Sequence, residues 1–213
     1  MITDNVLVLN NVSKSFKKQS VLENLTIYFE SGKIYGITGE NGCGKTIILK
    51  ILCGLMTPTK GEVIYNGKIL KKQIDYLPSV GVIIENPGFF EELNAFDNLK
   101  ILASFQNKIN DKQIIEFINM LGLENSNKKI KNYSLGMKQR LGIAQAIMED
   151  PDVLILDEFT SALDATGVAL THDLLRRFKE KGKIIVITSH SKHDIIALCD
   201  ETFIVQDRGL IHV

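Results

Sequence analysis

Ile34-Tyr35-Gly36-Ile37-Thr38-Gly39-Glu40-Asn41-Gly42-Cys43-Gly44-Lys45-Thr46 starts as a compact apolar run and breaks into a glycine-rich loop; from Lys45 to about Leu55 apolar residues return at helical spacing. The reading is strand, glycine loop, helix. The loop, Gly39 to Thr46, fits G-x-x-x-x-G-K-[ST] and stands where its chemistry requires, after a strand and opening a helix. Its glycines let successive amides turn inward around phosphate oxygens, and the helix N-terminus adds positive potential. Lys45 can reach the terminal phosphates of a nucleotide, and Thr46 can offer its hydroxyl to magnesium. Gly39, Asn41, Gly42, Cys43, Gly44, Lys45 and Thr46 are therefore the expected phosphate-binding residues.

On the N-terminal side of the loop, Val6-Leu7-Val8-Leu9 and Val21 to Phe29 read as short strands, the second with apolar Leu22, Leu25, Ile27 and Phe29 spaced mostly by two. Asn66-Gly67 between Glu62-Val63-Ile64-Tyr65 and Lys68-Ile69-Leu70 is a hairpin signal, which places antiparallel sheet in this half. From Pro87 to about Met148 the apolar residues recur at helical spacing, as in Leu99-Ile101-Leu102-Phe105 and Ile114-Ile115-Phe117-Ile118-Leu121. Beyond that, strand and helix alternate: Val153 to Leu156, a helix around Ala169 to Lys179, Ile184 to Thr188, a helix around Asp194 to Leu198, then Thr202 to Val205. Such alternation predicts an α/β fold with a parallel sheet.

Composition excludes several classes. With 213 residues, 45% of them hydrophobic, the chain can bury one sizeable core. Lysine plus arginine equals aspartate plus glutamate at 25 each, so no net field favours nucleic acid, and none is expected as a partner. The longest apolar runs are far shorter than the roughly 18 residues that span a bilayer. Met1-Ile2-Thr3-Asp4-Asn5 lacks the charged start and apolar core of a signal peptide, and the three cysteines, Cys43, Cys53 and Cys199, are scattered without metal-ligand spacing; a cytoplasmic location is expected. Cys53 and Cys199 read as core fillers, and Cys43 as a small residue that suits the loop.

A second anchor is Val153-Leu154-Ile155-Leu156-Asp157-Glu158, an apolar strand whose end delivers two carboxylates. Neighbouring side chains on a strand point in opposite directions, so the two can serve different roles. Asp157 suits a magnesium shell, and Glu158 suits orienting or deprotonating a water. These two elements alone allow kinases, GTPases, helicases and many other phosphate-loop proteins.

A third segment narrows the choice. Tyr133-Ser134-Leu135-Gly136-Met137-Lys138-Gln139-Arg140, followed by a helix and then the Asp157 strand, resembles the signature sequence of ABC ATPases. Ser134 and Gly136 at a helix start make another anion site, yet the chain already has its own phosphate loop; the site suits a neighbour's ATP. The resemblance runs over nearly the whole chain, in the family's order. It implies that Phe16 stacks on adenine, that Ser161-Ala162-Leu163-Asp164 is the loop after the paired carboxylates, and that His190 contacts the γ-phosphate. It further implies a single P-loop ABC ATPase domain with a RecA-like parallel core, an N-terminal antiparallel β subdomain and an inserted helical subdomain. The expected division is 1–86 and 149–213 for the nucleotide-binding core, and 87–148 for the helical subdomain with the signature.

The sequence also departs from the family's common pattern. Glu85, in Ile83-Ile84-Glu85-Asn86-Pro87, stands where most members carry glutamine, and is expected to join Thr46 and Asp157 around the metal. Leu135 replaces the first glycine of the usual signature pair, and Phe159 replaces the proline that commonly follows the carboxylates. Glutamate in that loop together with Tyr-Ser-Leu-Gly-Met is similar to ABC subunits of the bacitracin and lantibiotic resistance type. The function implied is an ATP-binding and ATP-hydrolysing subunit that pairs around ATP and Mg2+ and drives a separately encoded transmembrane permease, with export as the direction and antimicrobial peptides or drugs as cargo. The pairing is expected as a homodimer or as a heterodimer with a related ATPase subunit, held at the inner face of the cell membrane. Lys45, Glu158 and His190 are the expected catalytic residues. The segment from Pro87 to Leu99, with Phe89, Phe90 and Leu93, is where a permease contact would fall. The rival reading is a non-transport ABC ATPase acting on a soluble partner; the long coiled-coil insertions or second cassette that mark such machines are not present in these residues.

Overall fold

In a computed structural model of the chain, residues 5–17, 19–85, 87–123 and 127–213 are described. Met1 to Asp4, read above for a targeting signal, and Asn86 of the Glu85 loop lie outside them.

Among the described residues the strands form two sheets. The first is antiparallel, in the order β2 (Gln19–Glu30), β1 (Val6–Phe16), β4 (Lys60–Tyr65), β5 (Lys68–Ile69). In β2, Leu22, Leu25, Ile27 and Phe29 are buried on one face. The step of three between Leu22 and Leu25 has a backbone cause: the β1–β2 register shifts between Val12 and Lys14, and Asn24 sits at φ 52°.

The second sheet runs β10 (Gly209–His212), β9 (Glu201–Gln206), β3 (Lys33–Thr38), β8 (Ile184–Thr188), β7 (Val153–Leu156), β6 (Val80–Ile83). It is parallel from β9 to β6, and β10 returns antiparallel at one edge. Every residue of β7 and β8 is buried, as expected of strands covered on both faces. Alternation along these strands divides the interior in two. Val153, Ile155, Ile184 and Val186 join a core with α1 (Lys45–Leu52) and the antiparallel sheet, whereas Leu154, Leu156, Ile185 and Ile187 face the remaining helices.

Helices α2 (Ala95–Gln106), α3 (Asp111–Met120) and α4 (Leu135–Ile147) all lie between β6 and β7 in the chain. Each has a capped start. Asn94 accepts from Asp97 N, Asn110 forms a capping box with Gln113, and Ser134 accepts from Met137 N. α5 (Ala165–Glu180) begins four residues earlier than its apolar pattern suggests, because Asp164 caps it by accepting from Gly167 N. α6 (Lys192–Leu198) follows β8. The strands β6 and β10 are additions to the elements expected from sequence. Among the described residues, no helix is long and apolar enough to cross a membrane.

Candidate active site

The glycine loop leaves the C-terminal end of β3 and enters α1, with positive φ at Gly39, Gly42 and Gly44. Those angles turn the amides toward a common centre and favour glycine at all three positions. Lys45, only 8% exposed, folds its ammonium back into the loop and donates to the carbonyls of Gly39 (2.8 Å) and Glu40 (3.0 Å). A buried ammonium needs such partners. Phosphate oxygens can take over the same donors.

The alternation along β7 decides where the two carboxylates go. Asp157 continues the face of Val153 and Ile155, the face that packs against α1, and its Oδ2 accepts from Thr46 Oγ1 at 2.8 Å. Its Oδ1 accepts from Thr188 Oγ1 at 2.5 Å, and Asp157 is left 7% exposed. The Thr188 oxygen also accepts the Glu158 amide at 3.0 Å, which ties the ends of β7 and β8 together. Glu158 then turns away at φ 46°, a left-handed conformation that is costly for a residue with a Cβ and is often held at functional sites. Its Oε2 accepts from the His190 amide at 3.2 Å, and its Oε1 lies 3.5 Å from His190 Nε2. That separation is too long for a good hydrogen bond, so Oε1 is a buried acceptor without a hydrogen-bond partner among the described residues. Such an atom is fitted to take a proton from water.

Asn41, Gly42, Gly44, Lys45, Thr46, Ile47, Asp157, Glu158 and His190 line one cleft of about 230 Å³. Gly39, Glu40, Gly42 and Cys43 line a neighbouring cavity with Gln19, Val21 and Arg208. Phe16 stands at the end of the β1–β2 hairpin, 45% exposed, with Lys14 Nζ 5.2 Å from its ring centroid. An exposed ring of this kind can accept a stacking partner.

Magnesium fits the donor set. Thr46 and Asp157 present hard oxygens at one point, and no group of three or more His, Cys, Asp or Glu able to hold a metal occurs among the described residues. Two such oxygens suit an ion that takes one or two protein ligands and completes its shell with phosphate and water. Glu85 is engaged by a cation: its exposed carboxylate meets Lys50 Nζ at 2.6 Å, one turn along α1 from Thr46, and its backbone is left-handed at φ 59°.

Ser134 and Gly136 do not line the cleft that holds Lys45. Ser134 is the exposed cap of α4, and Leu135 beside it is 65% exposed. A Cβ built on Gly136 would stand 2.7 Å from the Ala162 carbonyl oxygen, so glycine permits the loop from Ser161 to Asp164 to rest on the start of α4. Arg140 of α4 bonds the Asp164 carboxylate and holds its pKa below the usual range. Gln139 donates to the Phe159 carbonyl at 2.9 Å within the same contact. Sequence reasoning did not find Thr188, Gln139 or Lys50. Thr188 did carry a signal, as the polar residue ending an apolar run next to Ser189-His190.

Burial pushes the Cys53 thiol up, and burial pushes Cys199 up to about 12; both thiols are chemically quiet.

Comparison with known proteins adds a direct assignment. A family model described as ABC transporter matches residues 22–161. The chain belongs to that family. It is an ABC ATP-binding protein, and ATP binding and hydrolysis are its chemistry. It is 50% identical over 191 residues to an ABC transporter ATP-binding protein of Bacillus subtilis, YybJ, covering 89% of this chain and 88% of the relative. The lantibiotic transport ATP-binding protein SrtF of Streptococcus pyogenes is 37% identical over 196 residues, 92% of this chain and 84% of that one. The bacitracin transport ATP-binding protein BcrA of Enterococcus faecalis is 37% identical over 214 residues, 99% and 70% of the two chains. The fold matches the ATP-binding cassette MJ0796, solved as a dimer in a post-hydrolysis state with ADP and phosphate, at a TM-score of 0.87 and 24% identity over 96% of each chain. This ABC ATP-binding protein therefore has the ATPase fold expected from its sequence.

Proposed function

We propose that this ABC ATP-binding protein works as a pair of copies closed head to tail around ATP, and that the pair drives a separate transmembrane permease. The observation that supports this best is the separation of two anion sites on one chain. Lys45, Thr46, Asp157, Glu158 and His190 share a cleft, while Ser134 and Gly136 sit outside it on the N-terminus of α4. An exposed helix start is suited to phosphate, and a second copy would bring its own nucleotide to it.

In this reading the glycine loop holds the phosphates and Lys45 exchanges its carbonyl partners for terminal phosphate oxygens. Phe16 stacks on the base. Bound magnesium would neutralise charge on the phosphates, and Thr46 and Asp157 are the residues that would hold it. Glu85 would join them on leaving Lys50. Glu158 orients water and receives its proton at Oε1; His190 supports the charge that builds on the γ-phosphate. We place the helical subdomain at 87–148 between the two parts of the core, and the protein itself at the inner face of the cell membrane. The likeness to lantibiotic and bacitracin transport ATP-binding proteins supports export of antimicrobial peptides or drugs.

The test of the chemistry is phosphate release by the purified chain and by Glu158→Gln. We expect the variant to bind ATP as the parent does and to lose on the order of 100-fold or more in turnover. Turnover at the parent rate would remove Glu158 from its role.

A further inference from the structure

We propose that Asp194 is a positioning residue for hydrolysis, holding the loop after Glu158 and the segment of His190 in one register; this rests on the roles assigned above to Glu158 and His190. Asp194 lies in α6 and is 2% exposed. Its Oδ2 accepts from Thr160 Oγ1 at 2.6 Å and from Ser189 Oγ at 2.7 Å. Its Oδ1 lies 3.0 Å from His172 Nε2. Thr160 stands two residues after Glu158 and leads directly into Ser161-Ala162-Leu163-Asp164. Ser189 directly precedes His190. His172 belongs to α5, the helix that Asp164 caps. One carboxylate therefore gathers three segments; two of them adjoin Glu158 and His190, and the third is the helix that follows the Ser161–Asp164 loop.

The chemistry of the cluster explains why it must be complete. Burial pushes the His172 pKa down, so the ring is neutral and gives Asp194 an N–H donor rather than a counter-charge. Among the described residues no lysine or arginine pairs with this carboxylate, and a buried carboxylate so placed is tolerated only when its oxygens are hydrogen-bonded. Here two hydroxyls and an imidazole do this, which fixes all three donors in place. A hydrophobic core has no need of such a group at this position. Glu158 does have a need: its backbone is left-handed and tied through its amide to Thr188, while its carboxylate accepts only the 3.2 Å bond from the His190 amide among the described residues. Thr160, His172, Ser189 and Asp194 line a cavity of about 700 Å³ together with Glu158 and His190, and it is not the cleft that holds Lys45. The cluster thus reaches the water-orienting groups and not the phosphate loop.

This arrangement predicts an effect on turnover that leaves nucleotide binding intact. Asp194→Asn should lower kcat for phosphate release by roughly 10-fold to 100-fold, the range produced by a misplacement near 1 Å, with the Kd of a fluorescent ATP analogue within about twofold of the parent. Thr160→Val removes one hydroxyl and should show the same split; Thr160→Ser keeps the hydroxyl and should restore the rate. Combined, Asp194→Asn and Thr160→Val should cost little more than either alone, because both break one unit. If Asp194→Asn does not fold, Thr160→Val and Thr160→Ser carry the test. Parent kcat in a folded Asp194→Asn or Thr160→Val, or a kcat loss matched by weaker ATP binding, overturns the proposal. Full turnover by Glu158→Gln in the same assay would instead overturn the role of Glu158, and this proposal with it.

Discussion

Gly136 shows how little room the signature leaves. A methyl group there would meet the Ala162 carbonyl oxygen at 2.7 Å, and backbone cannot swing aside as a side-chain end can. We expect Gly136→Ala to cost about 1–3 kcal/mol of stability and to abolish most ATP turnover by lifting the Ser161–Asp164 loop; a thermal melt and a phosphate-release assay read the two effects separately. Glu85 gives a contrasting case. Its pair with Lys50 is exposed, so Glu85→Gln should change stability by less than about 1 kcal/mol, while the Mg2+ concentration for half-maximal turnover rises. An unchanged Mg2+ dependence would take Glu85 out of the metal shell. The sequence made Lys45, Thr46, Asp157 and Glu158 legible as candidates because each sits in a local motif, and the structure brings all four to one cleft. The sequence could not show Thr188 bridging the two acidic residues, or Lys50 holding Glu85. Those contacts join positions 31 and 35 residues apart, and only the fold brings them together.

At the scale of elements, two helix caps of the same chemistry separate stability from function. Ser134 caps α4 and Asn110 caps α3, and losing either to alanine should cost about 1 kcal/mol. Only Ser134→Ala should also reduce turnover, since only that cap belongs to the proposed anion site. The contact between α5 and α6 adds a dependence on pH. Burial keeps the His172 pKa below its ordinary value near 6.5, with Asp194 at 3.0 Å, the His193 ring at 6.0 Å and Arg176 lining the same cavity. A depressed folded pKa contributes stability above the unfolded value, and that contribution is lost as pH falls through 6.5 toward the folded pKa. The melting-temperature difference between the parent and His172→Gln should therefore shrink from pH 7.5 to pH 5.5. Most elements could be placed from periodicity, and the exceptions have causes. β6 was hidden because it is four residues long and contains Gly81, where a Cβ would stand 1.9 Å from the Ala146 carbonyl oxygen of α4. That glycine weakens the strand signal in order to let the helix come close. β10 is a short, partly exposed edge strand with no alternation to reveal it.

Across the whole molecule, one largely parallel sheet with a core on each face delivers the carboxylates to the phosphate loop, and helices inserted between β6 and β7 carry the signature elsewhere. Phe90, 63% exposed at the start of that insert, is an apolar surface residue available to the proposed permease, while Phe89 beside it packs inward. The broad architecture was legible because βα alternation and an interrupted sheet leave a plain trace in sequence. The proposed apposition of two copies has only an indirect trace, the signature at a helix start away from the phosphate loop. That apposition is the centre of the account, and the mass of Glu158→Gln in solution tests it most directly. A single chain is 23.8 kDa. With ATP and Mg2+ the variant should run at twice that mass, and it should return to the single-chain mass when Gly136→Ala is added or ATP is withdrawn. ATP bound at the single-chain mass would contradict the shared site.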